Sequence, residues 1–133
     1  HSDMTRTVAV GEATDEMRKV YDTVLRAQLE AERVIRAGAV CQDVDKVARD
    51  LIYAAGYEGC FGHGLGHSVG VEIHEDPAFS PRCETILRPG MIMTVEPGIY
   101  LENQFGVRIE DMVYVTEEGS LNLTASEKQL LII

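Results

Sequence analysis

The sequence has few basic residues and no long apolar run, and each shortage excludes a class of partner. Against 22 Asp and Glu stand only 12 Lys and Arg, which gives a formal net charge of -10. This balance argues against nucleic acids and anionic membrane surfaces, because both are held by clustered Lys and Arg. No apolar run approaches the roughly 20 residues of a membrane-spanning helix. We therefore expect neither a nucleic-acid nor a membrane partner.

Cysteine is also scarce and carries no recognisable pattern. Cys41, Cys60 and Cys83 are odd in number and widely spaced, and none belongs to a CxxC pair. Such cysteines indicate neither a disulfide framework nor a thiolate zinc site. We expect a reducing cytoplasm as the location. Separately, part of the excess of acidic residues could bind cations.

The length and the first residues predict a single domain that is incomplete at its beginning. With 133 residues, 45% of them hydrophobic, the chain is the size of one small globular domain. His1 stands where an initiator methionine is expected, and the chain reads as a strand almost at once. We expect a fragment of a longer protein.

The apolar spacing predicts two helices. From Thr14 onward, apolar residues recur at steps of three and four until Ala37–Gly38 interrupts the pattern. The same spacing returns from Val44 to Ala55, and Gly56 is placed to end the second helix.

The other periodic segments predict strands. Glu118–Gly119 supplies a hairpin-like turn after one of them, and the last segment is a candidate buried strand. We expect an α+β fold with an antiparallel or mixed sheet, its two long helices packed on a mostly antiparallel curved sheet. The predicted strands are Thr5–Val10, Met91–Glu96, Val107–Thr116 and Leu130–Ile133.

Three of the four histidines stand in a glycine-rich segment, at His63, His67 and His74. On a helix, His63 and His67 would share one face, but the glycines make a helix unfavourable. In an extended segment four residues span roughly 13 Å, too far for two ligands of one ion. We expect one histidine on a metal and the others facing substrate. The alternative is a glycine-rich turn with incidental surface histidines.

Two glutamates occupy unusual positions in predicted strands. Glu96 ends an apolar strand before Pro97, and Glu110 interrupts the strand around Ile109. Each has an ordinary explanation, because Glu96 could be a solvated strand end and Glu110 could pair with Arg108.

Together with Asp3 and His67, the glutamates form a set suited to a pair of metal ions. Two divalent ions roughly 4 Å apart repel each other and need several carboxylates to hold them. Three carboxylates and one imidazole suit Mn²⁺, Co²⁺ or Fe²⁺ better than a structural zinc ion. We expect Mn²⁺ first, with Co²⁺, Fe²⁺ and Zn²⁺ as alternatives.

Four phrases resemble successive signatures of the pita-bread metallopeptidases, the family of creatinase, aminopeptidase P, prolidase and methionine aminopeptidase. They occur in the family's order, and they are most similar to its Xaa-Pro aminopeptidase and Xaa-Pro dipeptidase branch. The phrases are Ser2-Asp3-Met4-Thr5-Arg6-Thr7, His63-Gly64-Leu65-Gly66-His67, Val95-Glu96-Pro97-Gly98-Ile99-Tyr100 and Gly106-Val107-Arg108-Ile109-Glu110-Asp111.

The resemblance implies metal-dependent hydrolysis of the bond preceding proline by a hydroxide that bridges two ions. By motif, Asp3 matches the second aspartate ligand of the family, His67 its histidine, and Glu96 and Glu110 its glutamates. Glu96 is also the implied proton carrier.

The same resemblance implies three further site residues. His63 and His74 match histidines that line the substrate and steady the developing oxyanion, and Arg108 matches a supporting arginine. A proline-containing peptide is the implied substrate.

The chain departs from the family at its beginning. The first aspartate of the family lies roughly ten residues before the second, and only two residues precede Asp3 here. The first ligand and the N-terminal half-domain are thus absent, and residues 1–133 are expected to be the C-terminal part of a catalytic domain. We expect this part alone to be inactive, and to pair with the missing part or form a homodimer.

Two other functions stay open. One is a non-catalytic, peptide- or protein-binding member of the same fold, since a fold does not determine an activity. The other is a different reaction of the family, such as methionine removal or creatine hydrolysis. The sequence does not separate an aminopeptidase from a dipeptidase.

Overall fold

The computed structural model describes residues 1–133 and has the predicted α+β architecture, with two helices packed on a mostly antiparallel sheet. The elements, in chain order, are β1 (Val8–Ala9), α1 (Asp15–Val34), α2 (Cys41–Ala54), β2 (Gly66–Ser68), β3 (Glu75–Phe79), β4 (Ile92–Val95), β5 (Gly98–Leu101), β6 (Phe105–Arg108), β7 (Asp111–Val115), β8 (Ser120–Asn122) and β9 (Leu131–Ile132).

Helix α1 follows its sequence pattern closely. Thr14 caps it, because its side-chain oxygen accepts a hydrogen bond from the Met17 N–H at 3.2 Å. The helix ends at Val34, three residues before the predicted stop, and Gly38 beyond it has a φ of 86°. The buried face of α1 lies against α2 and the sheet, so the apolar stripe predicted the packing.

Helix α2 begins at Cys41, earlier than its first periodic residue, and ends at Ala54. Gly56 follows with a φ of 95°, a conformation that glycine adopts without strain. Most of the buried residues of α2 are apolar, but Asp45 is buried with them. Neither helix combines the length and apolar character that crossing a membrane requires.

The main sheet has five antiparallel strands in the order β3-β2-β4-β7-β8, and β5 and β6 form a separate hairpin. The prediction of one continuous strand over Val107–Thr116 was wrong. The segment divides at Ile109 and Glu110, because the backbone of Glu110 pairs with Thr5 instead of continuing either ladder. The predicted turn at Glu118–Gly119 is confirmed, since it joins β7 to β8.

The two ends of the chain meet in a small parallel pair, β1 with β9. The first strand is shorter than the predicted Thr5–Val10, and Thr5 forms only an isolated bridge. The last segment does contain a strand, but it is not buried, because Leu131 and Ile133 remain 51% and 70% exposed. Val8 of β1 and Ile132 of β9 are likewise 41% and 44% exposed, so apolar side chains of this pair reach the surface.

Candidate metal centre

The two glutamates lie side by side at one end of the ladder formed by β4 and β7. Glu96 directly follows β4 and Glu110 directly precedes β7, and the antiparallel register of these strands pairs Val95 with Asp111. Glu110 is 3% exposed, and the Glu96 side chain is 12% exposed. Glu96 is therefore not a solvated strand end.

Gln28 of α1 holds the backbone on both sides of this glutamate pair. Its Nε2 donates to the carbonyl oxygens of Val95 at 3.2 Å and of Ile109 at 3.4 Å, the residues that precede Glu96 and Glu110. Gln28 is fully buried, and its Oε1 has no hydrogen-bond partner in the chain. The two bonds of Nε2 thus link the backbone segments that precede Glu96 and Glu110.

The Asp3 segment reaches the glutamates through Thr5. The N–H of Thr5 donates to the Glu110 carbonyl at 3.3 Å, and the Glu110 N–H donates to the Thr5 carbonyl at 3.0 Å. The Thr5 hydroxyl also donates to Glu110 Oε2 at 2.5 Å. This short bridge brings Asp3, two residues earlier, against the end of the sheet, where its N–H contacts Met112 Sδ.

His67 enters from β2 at a point where the sheet is unusually tight. A Cβ on the preceding residue, Gly66, would lie 2.0 Å from the Thr94 carbonyl oxygen, so only glycine permits this approach. The Thr94 hydroxyl accepts from the His67 N–H at 2.9 Å and donates to Glu96 Oε1 at 3.0 Å. Thr94 thus ties the histidine to the glutamate.

The imidazole of His67 points at the carboxylates. Its Nδ1 lies 3.0 Å from the Ser68 carbonyl oxygen, and a ring nitrogen held in this way leaves the other one free as a ligand. Nε2 lies 3.3 Å from Glu96 Oε1 and 3.7 Å from Asp3 Oδ2. The ligand atoms of Asp3, His67 and Glu110 all lie within 4.8 Å of one another. Asp3, His67 and Glu110, with Glu96 beside them, are far apart in sequence and converge as one donor cluster.

The electrostatics of this cluster fit divalent cations. Burial raises the pKa of Glu110 and the carboxylates of Glu96 and Asp3 raise it further, against the lowering effects of the Thr5 hydroxyl and Arg108. A concentration of carboxylates around one imidazole is unfavourable by itself and becomes favourable when cations balance it. The donor set, mostly oxygen with one nitrogen, fits divalent ions rather than a thiolate zinc site.

The other predicted site residues surround the cluster. The His74 ring centroid lies 4.4 Å from that of His67. His63 Nε2 lies 2.7 Å from the Tyr100 hydroxyl, which also accepts from Arg108 Nε at 2.8 Å. Arg108 Nε is 3.9 Å from Glu96 Oε2, so Arg108 lies next to Glu96 and Tyr100 rather than in an ion pair with Glu110.

Sequence reasoning missed three residues of this region. Tyr100, Thr94 and Gln28 read as ordinary strand and helix residues, and no spacing distinguishes them. The one available signal was that Tyr100 ends the family-like motif Val95–Tyr100. Burial raises its pKa, although the hydrogen bond and charge of Arg108 act in the opposite direction.

A second buried polar group lies directly behind the cluster. The Asp111 carboxylate accepts from Arg6 Nη2 at 2.7 Å, from Asn122 Nδ2 at 2.6 Å and from Lys128 Nζ at 2.5 Å. Arg6 also donates to the carbonyl oxygen of Glu110 at 2.8 Å. Through Arg6 and Lys128, this group therefore fastens both ends of the chain to the start of β7, directly after Glu110.

Replacing Asp111 by Asn should destabilise the metal-free protein by about 3 kcal/mol at neutral pH, because two cations then lose their buried partner. Burial alone would raise the pKa of Asp111, but hydrogen bonds from Lys128, Asn122 and Arg6 outweigh it and hold that pKa below its ordinary value of 3.8. The stabilisation is therefore present above pH 3.8 and is lost as pH falls through the folded-state pKa.

The measurement is urea unfolding of Asp111→Asn and the unchanged protein at stepwise lower pH. The exposed Asp50, which pairs with Lys46 on α2, gives the matched control Asp50→Asn. We expect the Asp111→Asn difference to shrink in acid, and a loss of equal size at every pH would contradict the assignment.

Known proteins resemble this chain over nearly its whole length. An Xaa-Pro dipeptidase from Bacillus anthracis is 48% identical, with a TM-score of 0.97 over 99% of this chain and 37% of its own. An X-Pro aminopeptidase from Thermotoga maritima is 43% identical, with a TM-score of 0.96 over 99% of this chain and 38% of its own. Among curated sequences, an Xaa-Pro dipeptidase from Pyrococcus furiosus is 46% identical over 131 residues, 98% of this chain and 38% of its length.

The chain thus spans between a third and two fifths of the length of these relatives. The expected resemblance to the pita-bread metallopeptidases is confirmed, as is the fold expected from it. Residues 1–117, which include every residue of the cluster, match metallopeptidase family M24. The chain belongs to metallopeptidase family M24.

Proposed function

We propose that the parent protein hydrolyses the peptide bond preceding proline in peptides, as a metal-dependent Xaa-Pro peptidase. The observation that carries the proposal is the convergence of Asp3, His67 and Glu110, with Glu96 beside them. It is supported by the similarity to proteins named Xaa-Pro dipeptidase and X-Pro aminopeptidase. Residues 1–133 form the C-terminal part of the catalytic domain in this proposal and are inactive alone.

The proposed cofactor is a pair of divalent ions held by Asp3, His67, Glu96 and Glu110. Mn²⁺ is the first choice because the donor set is rich in carboxylate oxygen, and Co²⁺, Fe²⁺ and Zn²⁺ are the alternatives. When bound, such ions supply Lewis acidity and lower the pKa of water at the site.

Glu96 is the proposed proton carrier. Its Oε1 accepts from the Thr94 hydroxyl, while Oε2 accepts no hydrogen bond within the chain. We assign to Oε2 the proton that leaves the attacking water and is returned to the prolyl nitrogen. That nitrogen belongs to a tertiary amide without an N–H, so it must gain a proton before the proline leaves.

His74 and His63 are proposed to contact the substrate. His74 packs on His67 and is placed to donate to the carbonyl oxygen as it becomes an oxyanion. His63 lines an open cleft with Arg82 and can hold the substrate backbone or carboxylate. Arg108 is proposed to orient Glu96 and Tyr100 rather than to touch substrate.

The exposed β1–β9 pair supports a partner for this chain. Val10, Leu131 and Ile133 are 81%, 51% and 70% exposed, and an exposed apolar strand pair of this kind is commonly covered. We propose that the remainder of the parent protein or a second copy covers it. The cytoplasm is the proposed location, consistent with three free cysteines.

The test is hydrolysis by the full-length parent protein, stripped of metal and refilled with Mn²⁺. We expect Mn²⁺ to restore cleavage of an Xaa-Pro dipeptide, an Xaa-Pro-Xaa tripeptide or both, while Xaa-Ala controls remain intact. Preference for the dipeptide would identify a dipeptidase, and preference for the tripeptide an aminopeptidase. No cleavage by a folded protein with any of the four metals would contradict the proposal and favour the peptide-binding alternative.

A further inference from the structure

Helix α2 carries one buried ion pair, between Asp45 and Arg49, that faces the segment with the cluster's histidine. Arg49 Nε lies 2.8 Å from Asp45 Oδ2, and Arg49 Nη2 lies 2.9 Å from Asp45 Oδ1. The Asp45 side chain is 1% exposed and the Arg49 side chain is 16% exposed. A two-bond guanidinium–carboxylate contact of this kind has a fixed geometry, so both side chains are rigidly placed.

Both members of the pair also form hydrogen bonds to the backbone of Phe61–Leu65. Arg49 Nη1 donates to the Phe61 carbonyl at 2.9 Å, and Nη2 donates to the His63 carbonyl at 2.8 Å. Asp45 Oδ1 accepts from the Leu65 N–H at 3.0 Å. One ion pair thus binds three alternate residues of a segment that belongs to no strand.

This segment is rich in glycine and gains little order from its own side chains. Gly62, Gly64 and Gly66 have no side chain to pack, and glycine gives the backbone more freedom than any other residue. At Gly64 and Gly66 the segment also runs so close to neighbouring backbone that a Cβ would lie 2.6 and 2.0 Å from carbonyl oxygens. The backbone is therefore packed closely against its neighbours at both glycines.

The supported segment contacts the candidate site through His63 and Leu65. The His63 ring contacts the Tyr100 hydroxyl, and the Leu65 carbonyl accepts from the Glu96 N–H at 2.7 Å. Two residues later, His67 Nε2 lies 3.3 Å from Glu96 Oε1. A displacement of the segment would move both histidines relative to the carboxylates.

We propose that Asp45 and Arg49 are positioning residues that set the location of His63 and His67 relative to the carboxylate cluster. Neither side chain contacts the cluster, and both act through the backbone of Phe61–Leu65. The inference rests on the proposed function, because it assigns the pair to a metal-dependent site. The cost of desolvation offsets much of the attraction within a buried ion pair, so stability alone does not account for this pair. Positioning of the histidine segment does.

The test replaces Arg49 by Lys in the full-length parent protein. One ammonium cannot reproduce two bonds to Asp45 together with two bonds to carbonyl oxygens. We expect kcat and the affinity for Mn²⁺ each to fall by about 10- to 100-fold, the usual range for residues that orient metal ligands.

A readout independent of activity is the visible absorption spectrum of the Co²⁺-loaded protein. It reports the geometry of the ligands and should change in Arg49→Lys for the same number of bound ions. The matched control is Lys46→Met, which removes a pair of the same spacing on the same helix whose side chains are 68% and 61% exposed. This control should keep the spectrum, the metal affinity and kcat.

If Arg49→Lys does not fold, Asp45→Asn supplies the same test, because an amide oxygen can still accept from Leu65 while the charge partner of Arg49 is lost. A folded variant with lower thermal stability but unchanged spectrum, metal affinity and kcat would overturn the proposal. If the unchanged protein cleaves no Xaa-Pro peptide, the proposed function fails, but the Co²⁺ spectra still decide the positioning role.

Discussion

Replacing Glu96 by Gln in the full-length parent protein should lower kcat by about 10²- to 10⁴-fold, the range that positioned proton transfer contributes. Glutamine has the same shape and can still accept from the Thr94 hydroxyl, whose bond to Glu96 Oε1 is 3.0 Å long. It cannot take up a proton at the position of Oε2. KM for an Xaa-Pro substrate should change little, because no residue proposed to contact the substrate is altered.

The measurement is steady-state hydrolysis at saturating Mn²⁺, with the metal content of each preparation determined in parallel. Glu102→Gln is the matched control, since Glu102 is an exposed glutamate in the turn between β5 and β6. If Glu96→Gln turns over substrate at nearly the rate of the unchanged protein, Glu96 is not the proton carrier. A loss of activity that only tracks lost metal would reduce Glu96 to a ligand.

Replacing Glu110 by Gln should raise the free energy of unfolding of the metal-free protein and lower that of the metal-loaded protein. Burial raises the pKa of Glu110, and the neighbouring Glu96 and Asp3 carboxylates raise it further. A raised folded-state pKa stabilises the fold below the ordinary glutamate value of 4.5, and this stabilisation is lost as pH rises through the folded-state pKa. At neutral pH the ionised Glu110 therefore destabilises the metal-free protein, and a neutral glutamine relieves that effect.

We expect Glu110→Gln to raise the free energy of unfolding of the metal-free protein at pH 7. The same change should abolish most of the stabilisation by Mn²⁺. For the unchanged protein that stabilisation is about 4 kcal/mol when the free metal is 1,000 times its Kd.

Thermal or urea unfolding after treatment with a chelator, with and without added Mn²⁺, measures both effects. Glu118→Gln in the turn between β7 and β8 is the control, because Glu118 is exposed and has no part in the cluster. A metal-free Glu110→Gln that is less stable than the unchanged protein, or that Mn²⁺ stabilises equally, would contradict the role of Glu110 as a ligand.

The elements that were predicted well are those whose signal is local. Helix α1 has both an apolar stripe and a cap, and Thr14 was the first residue of the predicted pattern. The turn at Glu118–Gly119 is similarly contained within a few residues. Local signals of this kind act through neighbours in the chain, and the rest of the fold changes them little.

The errors arose where a distant segment changed a local pattern. Val107–Thr116 alternates like one strand, but Thr5 pairs with Glu110 and divides it between two sheets. Leu130–Ile133 is apolar enough for a core, yet its strand pairs with β1 at the surface. Neither partner can be inferred from periodicity, because periodicity says which face is apolar and not what covers it.

By itself, the sequence determined the family, the helices and the identity of the candidate ligands, because these depend on residue type and spacing along the chain. Only the tertiary structure decided that Thr94 joins His67 to Glu96 and that Gln28 holds the backbone directly before both glutamates. It alone placed Asp45 and Arg49 against the histidine segment. The physical reason is that these hydrogen bonds bring together segments that are distant in sequence, which no local pattern encodes.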